Sequence, residues 1–592
     1  MTPEQEYQRR LTLWNAQSER YRRLDGQLSQ ARGAAALLAA VAGYVTFGSW
    51  WFGLCLGVPV VFFIALVIWH ERNARRQQLA QRAIRFSQLG LARVHGTWQG
   101  QGSAGEAYRD ADHPYADDLD VFGAGGLFDL ISMARSQPGE ALLAAWLLAP
   151  AGREAVLARQ DAVRDLAPRL DLREEIALLG DDMQAGVHPE KLAAWGAGPA
   201  VPVFTGARWL MLVAALASGT AFVGWLAQQW TLLPFFGILL AVIPLAMAMR
   251  PAVGRMLHTL DARSADLKLM AALLARLERE AFQSPRLLKL QSDLSAGGVP
   301  ASLQIHRLQK WIDWLESDRN AFFAIPAFCL LWRPQFALAI ERWRQQAGPH
   351  LGPWVAAMAE LEALASLAGF AYEHPHAAYP ELVSGSRVFE ATALAHPLIA
   401  GQRAVANDLA FGESPRLLIV SGSNMSGKST LMRAVGLNAA LAWAGAPVCA
   451  QQLRISPFTL GASLRANDSL LEGRSRFYAE IRRLRQVVDL AGRERPLLFL
   501  IDEVLSGTNS HDRRIGAEAI LKGLLARGAV GLTTTHDLAL TRIPEVLAGL
   551  AVNVHFQDEM VEGQLHFDYR LRPGVVERSN ALELMRSIGL DV

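Results

Sequence analysis

Two long uncharged stretches interrupt the hydrophobic and polar pattern of this chain. The first lies between Arg32 and Glu71, and the second lies between Arg208 and Arg250. Each is too long for one membrane span and long enough for two, because a helix rises about 1.5 Å per residue and a bilayer core is about 30 Å thick. The pattern therefore predicts two transmembrane hairpins, about four spans in all.

Each stretch has a turn signal at its centre. The first carries Gly48–Trp51 and the second carries Gln228–Trp230. Arginines flank both stretches on the same side, so the positive-inside rule places everything outside the hairpins in the cytosol of a multi-pass cell-membrane protein. The alternative is that both stretches are buried hairpins of a large helical core. No Asp, Glu, Lys or Arg lies inside either stretch, which predicts anchors rather than a substrate pathway.

The rest of the chain predicts a helical middle and a C-terminal α/β domain. Apolar residues recur three and four positions apart over 71–200 and 253–370, which is typical of amphipathic helices. The predicted division is an N-terminal cytosolic helix (1–32), hairpin 1 (33–70), a membrane-proximal connector helix (71–115), a helical core domain in two parts (116–204 and 253–384), hairpin 2 (205–252) and a nucleotide-binding domain (385–592).

Composition changes this picture little. The formal net charge of +2 gives no overall basic field that would point to nucleic acid. The cysteines, Cys55, Cys329 and Cys449, are far apart in sequence and predict neither a disulfide framework nor a zinc cluster, which fits a reducing compartment.

A phosphate-binding loop is the clearest chemical motif. The strand-like run "RLLIV" (416–420) precedes "GSNMSGKS", which fits G-x-x-x-x-G-K-[ST], and a helical pattern follows. Gly422 and Gly427 allow the backbone to wrap a phosphate, and the helix N-terminus adds its dipole. We expect Lys428 to reach the β- and γ-phosphates of ATP and Ser429 to bind Mg²⁺.

Two further strand ends complete the predicted site. "PLLFLIDE" places Asp502 where it can hold the Mg²⁺ shell and Glu503 where it can orient or deprotonate the attacking water. "AVGLTTTHD" ends in His536, which is either a γ-phosphate sensor or a structural histidine. Adjacent acids and a terminal histidine indicate an ABC-type P-loop ATPase. Such domains work in pairs, and Ser475, at a predicted helix start, would face the partner's nucleotide.

These segments resemble the MutS mismatch-repair family. The similar segments are "SGSNMSGKSTLMR", "GRSRFYAEI", "DEVLSGTNSHD", "TTHDLAL", "AHPLI" and "YRLRPGVVERSNALELMRSIGL". The resemblance covers roughly 116–200 and 255–592, and it implies an α/β ABC-type ATPase domain after an all-α MutS-like core and lever domain.

The resemblance also implies roles for individual residues. Lys428, Glu503 and His536 would be catalytic, Asp502 with Ser429 would bind the metal, and Ser475 would contact the partner's γ-phosphate. His555 would lie against adenine. The implied nucleotide-binding loop comprises Gly422, Ser423, Asn424, Met425, Ser426, Gly427, Lys428, Ser429 and Thr430.

Two departures from the family pattern bear on function. The family's adenine-stacking aromatic falls near Ala404, and the mismatch-reading domain with its Phe-x-Glu wedge is absent from the sequence. Two hypotheses follow. The first is a membrane-anchored MutS-family ATPase that forms homodimers and binds DNA in a repair-related role, with little mismatch preference. The alternative is a membrane-associated ATPase that uses the same engine for remodelling or transport-associated work without DNA.

Overall fold

The computed structural model describes most of the chain. The described residues are 1–183, 189–204, 206–257, 264–295, 298–319, 323–401, 403–423, 425–464, 476–505, 508–537, 539–547, 549–561 and 564–576. The helices are α1 Pro3–Thr46, α2 Phe52–His95, α3 Leu127–Ile131, α4 Gln137–Leu148, α5 Arg153–Leu166, α6 Leu170–Met183, α7 Pro189–Ala197, α8 Ala207–Leu226, α9 Leu233–Leu257, α10 Ser264–Arg279, α11 Pro285–Asp293, α12 Ala301–Glu316, α13 Ala324–Cys329, α14 Trp332–Glu373, α15 Lys428–Ala444, α16 Arg476–Leu490, α17 Ser510–Ala526 and α18 Ile543–Val546.

The strands belong to the C-terminal third. They are β1 Glu381–Leu382, β2 Val388–Leu394, β3 Asn407–Gly412, β4 Leu417–Ser421, β5 Gln452–Ile455, β6 Thr459–Ser463, β7 Leu497–Ile501, β8 Val530–Thr535, β9 Ala551–Val561 and β10 Gln564–Pro573. A small sheet has the order β1-β5-β2-β3 and a larger one has the order β10-β9-β4-β8-β7-β6. In the larger sheet β4 pairs in parallel with β8 and β9, which is the arrangement a phosphate-binding loop requires after a central strand.

In the structure hairpin 1 extends beyond 33–70 and comprises all of α1 and α2, which pack along their lengths and turn at 47–51. The sequence predicts a cytosolic helix, two spans and a connector in this region, whereas the structure has two continuous helices. The change from charged to apolar side chains decides whether the helix surface favours water or hydrocarbon, but it does not interrupt the helical backbone. Large apolar side chains of the distal half, including Leu37, Val45 and Phe62, are exposed in the structure.

Hairpin 2 is built from α8 and α9, and its turn falls where the sequence predicts it. Gln228 has a φ of 58° in that turn. One face packs on the start of α14 through a small apolar cluster that includes Met211 and Val242. The opposite face exposes large apolar side chains, which water would disfavour and hydrocarbon would accommodate. They include Trp209, Leu216, Val223, Leu240 and Met247.

Four helices of the described chain are long and apolar enough to cross a membrane: α2, α8, α9 and α14. Within α14, 78% of the most apolar stretch is buried inside the protein, against 6%, 22% and 11% for α2, α8 and α9. Helix α14 is therefore a core helix of membrane-like composition. Helix α1 is not among the four, because its apolar part begins only at Gly33 and charged residues precede it.

Helix α14 joins the two hairpins. Its first turns pack on α8 and α9, and its last residue, Glu373, reaches the base of hairpin 1. There the Arg93 guanidinium of α2 donates two hydrogen bonds of 2.7 Å to the Glu373 carboxylate. The hydroxyl of Tyr7 on α1 donates a third, at 2.9 Å. These groups are buried, so the contact fixes the base of hairpin 1 to the end of α14.

The helical core and the C-terminal α/β domain share one hydrophobic core, since α15 packs on α4 and α5. Asp118, which is buried in the segment before α3, forms a polar contact across this boundary. Its carboxylate accepts hydrogen bonds from the Leu464 amide at 2.7 Å and from Arg483 of α16 at 2.5 Å. Helix α16, which begins directly after Ser475, is therefore held by the core domain.

Replacement of Asp118 by alanine is expected to destabilise the protein by about 3 kcal/mol, because it leaves the charge of Arg483, whose side chain is only 13% exposed, without its carboxylate partner. The matched control is Asp112→Ala. Asp112 pairs with the neighbouring Arg482 at 3.3 Å, and both side chains are more than half exposed, so we expect at most about 1 kcal/mol. Thermal unfolding of the two variants in detergent measures the difference. Equal melting temperatures would contradict the contact.

Candidate nucleotide-binding site

The loop between β4 and α15 has a backbone that requires glycine at two positions. Gly422 has a φ of 149° and Gly427 a φ of 103°. A Cβ at Gly422 would lie 2.8 Å from the Ser426 hydroxyl and 3.0 Å from the Phe556 carbonyl, so no side chain fits there. Met425, with a φ of 69°, points outward and is 84% exposed. Asn424 lies outside the described residues.

Lys428 lies inside the curve of this loop. Its ammonium donates hydrogen bonds of 2.8 Å to the carbonyls of Gly422 and Ser423. The side chain is buried, and burial lowers the pKa of the ammonium, while the nearby carboxylates of Glu503 and Asp502 act in the opposite direction. The first turn of α15 thus presents a cation and its free backbone amides to the same small volume.

Two hydroxyls in the loop fit a phosphate. The Oγ atoms of Ser423 and Ser426 are buried and have no hydrogen-bond partner among the described residues. A buried polar group without a partner costs about 1–3 kcal/mol. A phosphate oxygen held by the loop would supply the missing partner.

The donor set for a divalent cation is also assembled. The Ser429 hydroxyl donates to one Asp502 carboxylate oxygen at 2.5 Å, and the Thr534 hydroxyl donates to the other. The Asp502 amide donates to the Ser463 carbonyl at 2.9 Å, which fixes the carboxylate at the end of β7. A hydroxyl next to a carboxylate is the oxygen-rich environment that Mg²⁺ prefers. These residues therefore fit Mg²⁺ at the predicted place.

Glu503 and His536 meet at the ends of neighbouring strands β7 and β8. The Glu503 backbone is in the left-handed region, with a φ of 49°, and its amide donates to the Thr534 hydroxyl at 3.0 Å. The Nδ1 atom of His536 lies 3.0 Å from a carboxylate oxygen of Glu503. Both side chains are partly exposed. A carboxylate held in this way can orient a water molecule or accept its proton.

A cavity of about 540 Å³ opens beside the loop, a size that suits a nucleotide. Some predicted site residues line it and others do not. The lining includes Met425, Gly427, Lys428, Ser429, Thr430 and Glu503. Gly422, Ser423, Ser426, Asp502, His536 and His555 are not part of the described lining.

His555, which is predicted to lie against adenine, is not among the described residues that line this cavity. Its Nδ1–H donates to the Gly574 carbonyl at 3.1 Å, and the next residue along β9, Phe556, lines the cavity instead. Successive side chains of a strand point to opposite faces, which explains why Phe556 lines the cavity and His555 does not. Ser475 lies outside the described residues, so its predicted contact with a partner's nucleotide stays a prediction.

Sequence reasoning missed Tyr569, which lies over the phosphate loop. A Cβ at Gly427 would lie 3.1 Å from the Tyr569 ring. The ring is placed by an irregularity in β10, where the register shifts between Phe567 and Leu571 and Tyr569 has a φ of 54°. The Asn407 side chain fixes the irregularity, since it donates to the Tyr569 carbonyl at 3.0 Å and accepts from the Leu571 amide at 2.7 Å. No sequence pattern announces such an irregularity.

His396 is a second cavity residue that the sequence analysis did not assign. Its Nδ1 accepts a hydrogen bond from the Leu398 amide at 3.1 Å. Burial, with a smaller contribution from the Arg433 charge, lowers the pKa of His396 to about 4. The imidazole is therefore neutral near pH 7 and offers a polar, uncharged edge to the cavity.

Comparison with known proteins agrees with this geometry. Residues 418–591 match the family model of MutS domain V. The chain is 36% identical over 197 residues to Endonuclease MutS2 of Thermus thermophilus, over 33% of this chain and 25% of that protein. It is 32% identical over 243 residues to DNA mismatch repair protein MutS 2 of Halobacterium salinarum, over 40% of this chain and 27% of that protein. The chain thus spans about a quarter of the length of these relatives.

Proposed function

We propose that this chain, a MutS-family ATPase by its C-terminal domain, is anchored in the membrane by its two hairpins and hydrolyses ATP in sites shared between two copies. One feature carries the proposal. Helix α14 packs on hairpin 2 at one end and holds the base of hairpin 1 at the other, and the helical core around it packs on α15 of the nucleotide site. A conformational change in the ATPase domain can therefore be transmitted to both apolar hairpins through these packed helices.

The residues of the site have distinct proposed tasks. Lys428 and the loop amides bind the β- and γ-phosphates, and the free hydroxyls of Ser423 and Ser426 complete the cradle. Ser429 and Asp502 hold Mg²⁺, which when bound offsets the charge that develops on the phosphates. Glu503 orients the attacking water and accepts its proton, and His536 holds the Glu503 carboxylate in place. His536 is thereby also near the γ-phosphate.

Tyr569 is proposed to take the place of the missing aromatic near Ala404. Its ring lies at the edge of the cavity, and its backbone is fixed by Asn407. An aromatic ring in this position offers a face for a nucleobase, and base–aromatic stacking contributes about 1–3 kcal/mol.

Replacement of Tyr569 by alanine is expected to weaken ATP binding about ten-fold, the effect of losing one stacked base. Tyr569→Phe keeps the ring and is expected to bind like the parent. Inorganic triphosphate has no base, so its affinity should be the same for all three proteins. Competition against a fluorescent ATP analogue measures these affinities. Equal ATP affinity of Tyr569→Ala and the parent would show that the ring does not contact the base.

The shared site is proposed from the motif and from the class of ATPase. Ser475 would begin a helix that faces the nucleotide of a second copy, and free amides at a helix N-terminus favour an anion. The hairpins fit this arrangement, because anchoring two copies in one membrane raises their effective concentration. The domain boundaries given by the sequence, and the cytosolic side for the core and ATPase domains, remain part of the proposal.

Two uses of the ATPase cycle are proposed, in order of preference. The names of both relatives refer to nucleic-acid work, an endonuclease and a DNA mismatch repair protein, which favours a DNA-linked role at the membrane. The exposed apolar hairpins favour the alternative, in which the same engine acts on the membrane or on a transport protein without DNA. The ATPase rate of detergent-purified protein, with and without duplex, mismatched and branched DNA, distinguishes them.

We expect DNA binding to be weak and strongly dependent on salt, because phosphate contacts give affinity without sequence information. Mismatched duplex is expected to bind less than about ten-fold more tightly than matched duplex, since a mispaired base must be read at the bases and not at the phosphates. Binding titrations at two salt concentrations measure both quantities. A larger mismatch preference at physiological salt would contradict the expectation, and no stimulation by any DNA would favour the alternative role.

A further inference from the structure

A third apolar element lies between α12 and α14. The sequence carries no Asp, Glu, Lys or Arg between Arg319 and Arg333, a run that is too short to span a bilayer and is typical of a buried core helix or of an interfacial or re-entrant segment. Helix α13 lies within it. Leu331, with a φ of 50°, is the N-cap residue of α14. The segment from 323 to 331 is called the tip below.

The tip lies against hairpin 2. A Cβ on Gly219 of α8 would lie 4.0 Å from the Leu330 side chain. Gly219 is roughly 17 Å along α8 from Arg208, at about 1.5 Å per residue, so the tip reaches the depth of the proposed span. Phe328 is 47% exposed beside it. An apolar tip at this depth is stable in a lipid environment and unfavourable in water.

A cavity of about 600 Å³ separates the tip from α9. Its lining includes apolar residues, such as Ala246, Ala327 and Phe328, here called the apolar wall, and three charged residues, Arg250, Arg333 and Asp318, here called the polar side. The Arg333 guanidinium lies 3.0 Å from an Asp318 carboxylate oxygen. Arg250 is exposed and has no ion-pair partner among the described residues. Two guanidinium groups and one carboxylate leave the polar side with an excess positive charge.

We propose that this cavity binds one anionic phospholipid of the cytosolic leaflet, with its phosphate on Arg250 and Arg333 and its acyl chains on the apolar wall. The inference rests on the proposed membrane anchoring. Arg250 is the first charged residue after the uncharged stretch of hairpin 2, which places it at headgroup level. Guanidinium groups bind phosphate through paired hydrogen bonds, and the excess positive charge favours an anionic lipid over a zwitterionic one.

The acyl chains have a continuous surface to follow. Leu240, Ile243 and Met247 of helix α9, all on the N-terminal side of Arg250, are exposed toward the proposed hydrocarbon. A free phosphate ester would use the two arginines but not this apolar wall. The phosphate group is therefore expected to be held only as part of a lipid.

Two variants and one control test the site. Gly254 lines the cavity, and a Cβ there would meet nothing within 4 Å, so Gly254→Leu fills the space without moving the backbone and favours the helix. Arg250→Gln removes the unpaired charge. Arg255→Gln is the matched control, because Arg255 is an exposed arginine of the same helix outside the cavity lining.

The full chain is purified in detergent after exposure to equal amounts of phosphatidylglycerol and phosphatidylcholine, and native mass spectrometry counts the retained lipids. The parent and Arg255→Gln are expected to retain phosphatidylglycerol. The amount of retained phosphatidylglycerol is expected to fall at least about ten-fold in both variants. Arg250→Gln removes a charge-assisted hydrogen bond to the phosphate, and Gly254→Leu fills the volume that the lipid occupies. Glycerol 3-phosphate is expected not to displace the lipid.

Three outcomes would overturn the inference: equal retention of both lipids by the parent, parental retention of phosphatidylglycerol by Gly254→Leu, or displacement by glycerol 3-phosphate. Flotation of the parent with phosphatidylcholine vesicles separates this failure from that of the anchoring. A parent that floats but retains no anionic lipid refutes the lipid site alone. A parent that does not float refutes the anchoring, and the lipid site with it.

Discussion

Replacement of Glu503 by glutamine is expected to leave ATP binding intact and to lower the hydrolysis rate by about 10²–10⁴-fold, the usual contribution of a general base. The side-chain amide of glutamine is nearly the same size as the carboxylate of glutamate. The left-handed backbone conformation at 503 and the hydrogen bond from its backbone N–H to the Thr534 hydroxyl should therefore persist. The hydrogen bond between the proposed metal ligands Ser429 and Asp502 is unchanged. Steady-state phosphate release and a nucleotide-binding titration measure the two effects separately.

A second readout follows from the proposed pairing of sites. Because ATP stays bound and uncleaved, the Glu503→Gln protein is expected to accumulate as a dimer in ATP, which size-exclusion chromatography with light scattering detects. The control is Glu518→Gln, which removes a carboxylate that pairs with Lys522 on the exposed face of α17. Its turnover should equal that of the parent. Equal turnover by Glu503→Gln and the parent would remove Glu503 from the proposed mechanism.

Replacement of Lys428 by alanine is expected to weaken ATP binding by at least about 100-fold, since two or more charge-assisted hydrogen bonds to phosphate are lost at about 1.5–3 kcal/mol each. The ammonium is buried in the loop and close to two carboxylates. Among the described residues that line the cavity, the other side chain with a fixed positive charge is Arg403, which is exposed, so no buried cation remains to replace the ammonium. Titration with a fluorescent ATP analogue measures the change.

Lys522→Ala is the control for the loss of a lysine. Its ammonium pairs with Glu518 at 2.6 Å on the surface, and its removal should leave ATP affinity unchanged. The melting temperature of Lys428→Ala shows whether the loop remains folded. ATP binding by a folded Lys428→Ala protein at parental affinity would mean that the loop does not hold the phosphates.

The hairpins and the phosphate loop were predictable because their signals are local. An uncharged stretch and a glycine pattern specify their structures within a few tens of residues. Helix α14 shows that apolar composition alone does not identify a membrane span. Its composition is that of a span, but α4, α5, α7 and α12 cover it, and only the tertiary packing decides between core and membrane.

Long-range contacts in the site could not be read from the sequence. Tyr569 reaches the loop because Asn407, more than a hundred residues earlier, holds an irregular segment of β10. Asp118 and Arg483 meet across two domains in the same way. The register of β9 decides between His555 and Phe556, and a motif gives the residue types but not which face a strand turns to the cavity.

The central claim, a MutS-type ATPase held in the membrane by two hairpins, is tested most directly by vesicle flotation with ATP hydrolysis assayed in every fraction. The full chain is reconstituted, washed with alkali to remove peripheral proteins, and floated through a density gradient beside its Glu503→Gln variant. We predict that, after neutralisation, the ATPase activity is found in the floated lipid fractions, and that the variant floats equally but is inactive. Activity that stays at the bottom of the gradient, or floated activity that survives Glu503→Gln, would contradict the account.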